Sequence, residues 1–110
     1  MNFYIGNSIN QIDVEDSNVE FSDELMDYIY NMSKQSKFDV SVLTNIDPYG
    51  DTEISSRDVS KIVECCELIL NTSMFQDCSD VHGLNEALSN LLEISKRAIE
   101  LNTGLVSIGD

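Results

Sequence analysis

The chain has one histidine, His82, which stands two residues after Asp80 and four after Cys78. A thiol and an imidazole in one connector are the raw parts of a Cys-His nucleophile pair, in which the base removes the thiol proton. Activation of that kind depends on a specific geometry and an electropositive, partly sheltered site. A polar connector rich in Ser, Asp and Asn supplies neither, so His82 and Cys78 read as surface residues and no catalytic residue is assigned. The segment Asp47 to Glu53 raises a second possibility, because hard cations bind several carboxylates on a turn. With Asp47 as the first position of a calcium loop, Asp51 falls fifth and Asp58 twelfth. Tyr49 then occupies the third position, where an oxygen ligand is needed, and Thr52 the sixth, where glycine is needed. The match fails at both, and no metal or cofactor is expected. Phosphate binding lacks its parts too, since Gly50 and Gly83 stand alone and no glycine-rich lysine loop is present.

Binding chemistry is better represented. In the same loop Pro48 restricts the backbone, Gly50 permits a tight turn, and Tyr49 is a large amphipathic ring of the type enriched at binding hot spots. Asp47, Asp51 and Glu53 flank it. One reading makes this loop a contact surface for a basic groove. The other has Tyr49 packing on the helix that follows while the acids favour that helix's amino end. Asp58 fits a helix cap better than a contact. A second acidic segment comprises Glu20, Asp23, Glu24 and Asp27, and it lies within the first 33 residues, which contain no Lys or Arg.

The whole chain shares this bias, with 20 acidic residues against six basic ones in 110 and a net charge of −14. Such a field speeds encounter with cationic partners and opposes nucleic acid and anionic lipid. Plain solubility is the ordinary use of acidic charge and is the reading against which a binding role is weighed. No basic face for nucleic acid is visible.

The elements that must position these residues are legible in part. Phe3 and Ile5 on one face and Tyr4 on the other, followed by Gly6-Asn7, predict a short strand running into a turn. Residues 7 to 20 read as a loop or a second strand. Ser22 caps a helix with Asp23 and Glu24 in its first turn, Leu25, Ile29 and Met32 as its inner stripe, and Phe21 and Met26 placed as a hydrophobic staple. That helix should run to about residue 33 or 34. Alternation from Phe38 to Leu43 predicts a short strand before the proline loop. Ser55 caps the next helix, with Asp58 completing a capping box and Ile54 facing Val59. Val59, Ile62, Val63, Cys66, Ile69 and Leu70 follow the helical period. A last helix begins near His82 to Leu84, buries Leu84, Ala87, Leu88, Leu91, Ile94, Ala98 and Leu101, and stops at Asn102 to Gly104. Leu105, Val106 and Ile108 predict a closing strand or docked tail. Arg57, Lys61, Lys96 and Glu100 read as ordinary surface charge.

These elements amount to one domain, residues 1 to 110, of helix-rich α+β class, with about three main helices and short strands near the termini and before the proline loop. An all-α fold is the alternative. Hydrophobic content of 42% is enough for a real core at this length. Cys65, Cys66 and Cys78 fit neither a disulfide framework nor common zinc spacings and are expected to be reduced thiols, Cys66 in the core. No apolar run approaches the length of a membrane span and no signal peptide is evident, so a cytoplasmic address is expected.

Four blocks together resemble a known class: Phe3-Tyr4-Ile5-Gly6, Ile46-Asp47-Pro48-Tyr49-Gly50-Asp51-Thr52, Glu64-Cys65-Cys66, and Val106-Ser107-Ile108-Gly109-Asp110. They look like the small immunity proteins of bacterial polymorphic toxin systems, including those of contact-dependent growth inhibition. The likeness covers most of the chain in order and is weakest over residues 71 to 82. It implies a non-enzymatic inhibitor, made in the toxin-producing cell, that binds a cognate toxin domain, often a nuclease, and blocks its active site or substrate path. The acidic charge makes the expected partner a cationic toxin domain, an RNase or DNase, bound by a monomer in a 1:1 complex. It implies no contact residue. From charge and loop chemistry the expected contacts are Asp47, Tyr49, Asp51 and Glu53, then Glu20, Asp23, Glu24 and Asp27. An acidic adaptor or nucleic-acid mimic that regulates a DNA-binding protein is the alternative function, and a small enzyme the second rival.

Overall fold

In the computed structural model the described residues are 1–12, 18–34, 41–46, 49–71 and 81–109. The elements run β1 (Asn2–Ile5), a 3₁₀ turn at Ile9–Gln11, β2 (Val19–Glu20), α1 (Asp23–Ser33), α2 (Ser41–Thr44), β3 (Thr52–Ile54), α3 (Ser56–Asn71), α4 (Val81–Glu100) and β4 (Leu105–Ile108). Four strands form one antiparallel sheet in the order β2-β1-β4-β3. The architecture is α+β.

Register assigns the two faces of the sheet. Phe3 pairs with Ser107, Ile5 with Leu105, and Leu105 with Ile54. Directly paired residues share a face, so these side chains form the helix-facing side. Phe3, Ile54 and Leu105 join the core with Ile29 of α1, Leu43 of α2, Val59, Ile62 and Cys66 of α3, and Leu84, Leu88 and Leu91 of α4. Phe21 closes the core beside β1, its ring edge-on to Phe3 at 5.9 Å. The outer face carries Asn2, Tyr4, Val106 and Glu53. Tyr4 and Val106 are buried there too. The segment after β1 reaches across this side, where the Ile9 amide donates to the Glu53 carboxylate at 3.0 Å and the Gly104 amide donates to Asn7 Oδ1 at 2.9 Å.

Helix ends follow the chemistry of their caps. Ser22 Oγ accepts the Leu25 amide at 3.3 Å and Ser55 Oγ accepts the Asp58 amide at 3.3 Å. Each satisfies one of the amides that a helix start leaves open. α4 stops at a left-handed Asn102, with φ 55°. The Asn102 amide bonds the Ile99 carbonyl and the Thr103 amide the Ala98 carbonyl, both at 3.0 Å. That is the paired closure of a Schellman end, and asparagine tolerates its backbone.

One expected element is different. The stretch from residue 41 to 43 is not a strand before the proline loop but the first part of α2, with the Asn45 amide bonded to the Ser41 carbonyl at 2.9 Å. Its β-branched alternation lost to burial, because Leu43 and Ile46 both enter the core and three-residue spacing brings them to one side only in a helical turn. Phe38 to Val40 lie outside the described residues. The strand of this region comes after the loop instead, as β3. In α1 the buried stripe centres on Met26 and Ile29, with Leu25 half-buried; the Met32 side chain lies outside the described set. Residues 7 to 20 include both alternatives, a turn and then β2.

Candidate functional site

Two glycines at the ends of β4 determine where the tyrosine loop sits. A side chain on Gly104 would collide with the Ile54 carbonyl of β3. At the other end a Cβ on Gly109 would lie 2.5 Å from the Tyr49 carbonyl carbon and 2.5 Å from the Gly50 nitrogen. The Tyr49-Gly50 turn therefore lies directly on the backbone of Gly109. Neither glycine has a positive φ, so the requirement is close approach alone. This contact joins two of the blocks that carry the resemblance, and a third, at β1, pairs with β4 beside them.

The turn presents what it holds. The Tyr49 side chain is 71% exposed, so it is not a packing residue of α3. Asp51 and Glu53 are exposed beside it, Glu53 on the outer face with its carboxylate holding the Ile9 amide. Asp47 and Pro48 lie outside the described residues, as do Cys78 and Asp80. His82 is exposed on the first turn of α4.

The second acidic segment sits elsewhere. Glu20 belongs to β2, the opposite edge of the sheet from Glu53. Pairing runs from Glu20 to Asn2, and from Tyr4 through Val106 to Glu53, so both carboxylates project from the outer face. Strand spacing separates them by about 15 Å. Asp23, Glu24 and Asp27 are exposed on the first turns of α1. Among the described residues, the expected contacts Glu20 and Glu53 thus lie at opposite sheet edges.

Sequence reasoning missed a groove next to the first patch. It has a volume of about 600 Å³ and runs between α2, β3 and α3. Val42, Ile46, Ile54, Cys65 and Leu68 give it apolar walls, while Asp58, Glu64 and Glu53 outnumber Lys61 among its charged lining residues. Lys61 Nζ lies 3.7 Å from Asp58, and on the far side of α3 Lys96 lies 3.5 Å from Glu67. Both pairs are solvent-exposed and contribute little to stability. The groove was hidden because it depends on α2 being helical and on β3 existing. The alternation Thr52-Glu53-Ile54 was the available signal.

Cys65 and Cys66 are buried thiols. Burial pushes the Cys66 thiol up to about 12, with the charges of Cys65 and Glu67 adding in the same direction. A thiol held neutral in this way is a core side chain and a poor nucleophile. Among the described residues no group of three His, Cys, Asp or Glu side chains is placed to hold a metal ion, and no helix is long and apolar enough to cross a membrane. Comparison with protein-family models, curated proteins and solved structures finds no match for this chain.

Proposed function

We propose that this protein is an immunity-type inhibitor, which binds a cognate cationic toxin domain in the cytoplasm and neutralises it by covering its working surface. The observation that carries this reading is the Tyr49 turn, exposed at its ring, seated on Gly109 and flanked by Asp51 and Glu53. A large amphipathic ring on a constrained turn loses little conformational freedom on docking, which is what an interface anchor requires. Carboxylates around it complement the Lys and Arg that a nuclease must present to phosphates. The net charge of −14 adds long-range attraction and a fast encounter. Inhibition then follows from occlusion, with no catalytic step and no cofactor in the inhibitor, and one monomer covers one toxin domain.

The test is genetic and direct. The neighbouring gene is expected to encode a large secreted protein whose basic carboxy-terminal domain arrests growth when expressed alone, and co-expression of this chain should restore growth through a 1:1 complex. Undiminished toxicity, or no complex with that domain, refutes the proposal. Capture of host DNA-binding proteins in its place would support the adaptor reading.

A further inference from the structure

We infer that the groove between α2, β3 and α3 receives an extended basic segment of the partner, laid as an added strand along the outer edge of β3. This deepens the inhibitor reading and takes from it the partner's sign of charge. The first observation is topological. β3 lies at the end of the sheet order and pairs only with β4 among the described residues, so alternate residues of Thr52–Ile54 direct N–H and C=O groups outward. An open edge is a template for another strand. Charge on an edge strand usually deters such pairing, but here the carboxylates select a cationic strand and reject an acidic one.

The second observation is the groove itself. It runs along that same edge, and all three residues of β3 line it. A strand added there would send alternate side chains toward α3, between the apolar Val42 of α2 and Ile46 just after it on one side and Leu68 on the other. Lys and Arg suit this arrangement because their aliphatic stems cover apolar surface while their heads stay at the rim. Asp58 and Glu64 are the rim carboxylates on α3. Lys61 is drawn 3.7 Å from Asp58 in a pair exposed to solvent, so an incoming cation displaces it readily. A short edge offers few main-chain bonds. The apolar walls and the rim charges must therefore carry most of the selectivity.

The probe is a blocked heptapeptide of alternating Arg and Val, titrated into the full isotope-labelled chain at low salt and followed through its backbone amide resonances. Two control peptides keep its sequence and charge but are N-methylated on one or the other alternate set of residues, which removes the donors of one edge. A Glu-Val peptide reverses the charge. The expected result is shifts at Thr52–Ile54, Val42, Asp58 and Glu64, at least tenfold weaker binding for one of the methylated peptides, and no binding of the acidic one. Asp58→Asn together with Glu64→Gln should weaken the Arg-Val peptide at least threefold while the remaining resonances stay in place. Equal affinity of all three basic peptides overturns strand addition. So do shifts centred on Val19–Glu20 or α1, or no binding. These outcomes are independent of the toxin test: a domain still neutralised while the peptides fail places the interface elsewhere, and failed neutralisation with the peptide result intact removes the inhibitor role and leaves the groove.

Discussion

Replacing Gly109 with alanine should separate the Tyr49 turn from the sheet that supports it. The new Cβ would stand 2.5 Å from both the Tyr49 carbonyl carbon and the Gly50 nitrogen and 2.6 Å from the Gly50 oxygen. Ordinary carbon contacts begin near 3.4 Å, so backbone must move by about 1 Å, a shift with no flexible side chain to absorb it. Overpacking of this kind costs about 1–3 kcal/mol. Urea denaturation followed by circular dichroism would show a midpoint lower by about 1 M for a chain of this size. Gly104→Ala is the control, because it meets the Ile54 carbonyl at the opposite end of β4 and leaves the turn alone. Both variants should lose stability, but at a temperature where each is fully folded only Gly109→Ala should weaken binding to the cationic partner. A midpoint within error of the parent, or equal binding loss in the two variants, refutes the claim that Gly109 positions the tyrosine.

Charge reversal by Asp51→Lys with Glu53→Lys should weaken partner binding at least tenfold at low salt and flatten its salt dependence, read by calorimetry from low to high ionic strength; unchanged affinity removes this loop from the interface. Ser55→Ala deletes the acceptor for the Asp58 amide at the start of α3 and should cost about 1 kcal/mol in urea unfolding. Cys66 gives a pH dependence whose sign is determined by burial. Its folded value is raised from 9.0 to about 12, so its contribution is complete below pH 9 and is lost as pH climbs toward 12. Unfolding free energy should fall by about 1 kcal/mol between pH 8 and pH 10 from this group, and Cys66→Ala should remove that share of the slope. An identical slope in the variant would show that the thiol does not couple to folding.

Helices were the legible part of this fold. Ser22 and Ser55 cap where their spacing to acidic first turns indicated, and the periodic run from Val59 to Leu70 lies in α3. Asn102 ends α4 for a local reason, its tolerance of a left-handed backbone. The stretch from Ser41 to Leu43 failed because the β-branched alternation through Val42 gives a weak preference that packing of Leu43 and Ile46 overrides. For the candidate site, the exposed acids and Tyr49 were visible as residue types. The groove was not, since its walls come from α2, β3 and α3 and no local pattern specifies their approach.

What the chain alone determined is local: cap chemistry, helical period, the turn at Tyr49-Gly50 and the surplus of carboxylate. Each depends on residues within a turn or two of one another, and the charge on composition only. Which acids share a surface was decided by strand order, which sends Glu20 and Glu53 to opposite edges of one face and seats Tyr49 on Gly109, a residue distant in sequence. Such pairings are selected by burial of the whole core against alternative registers, a cooperative balance that no short stretch of sequence contains.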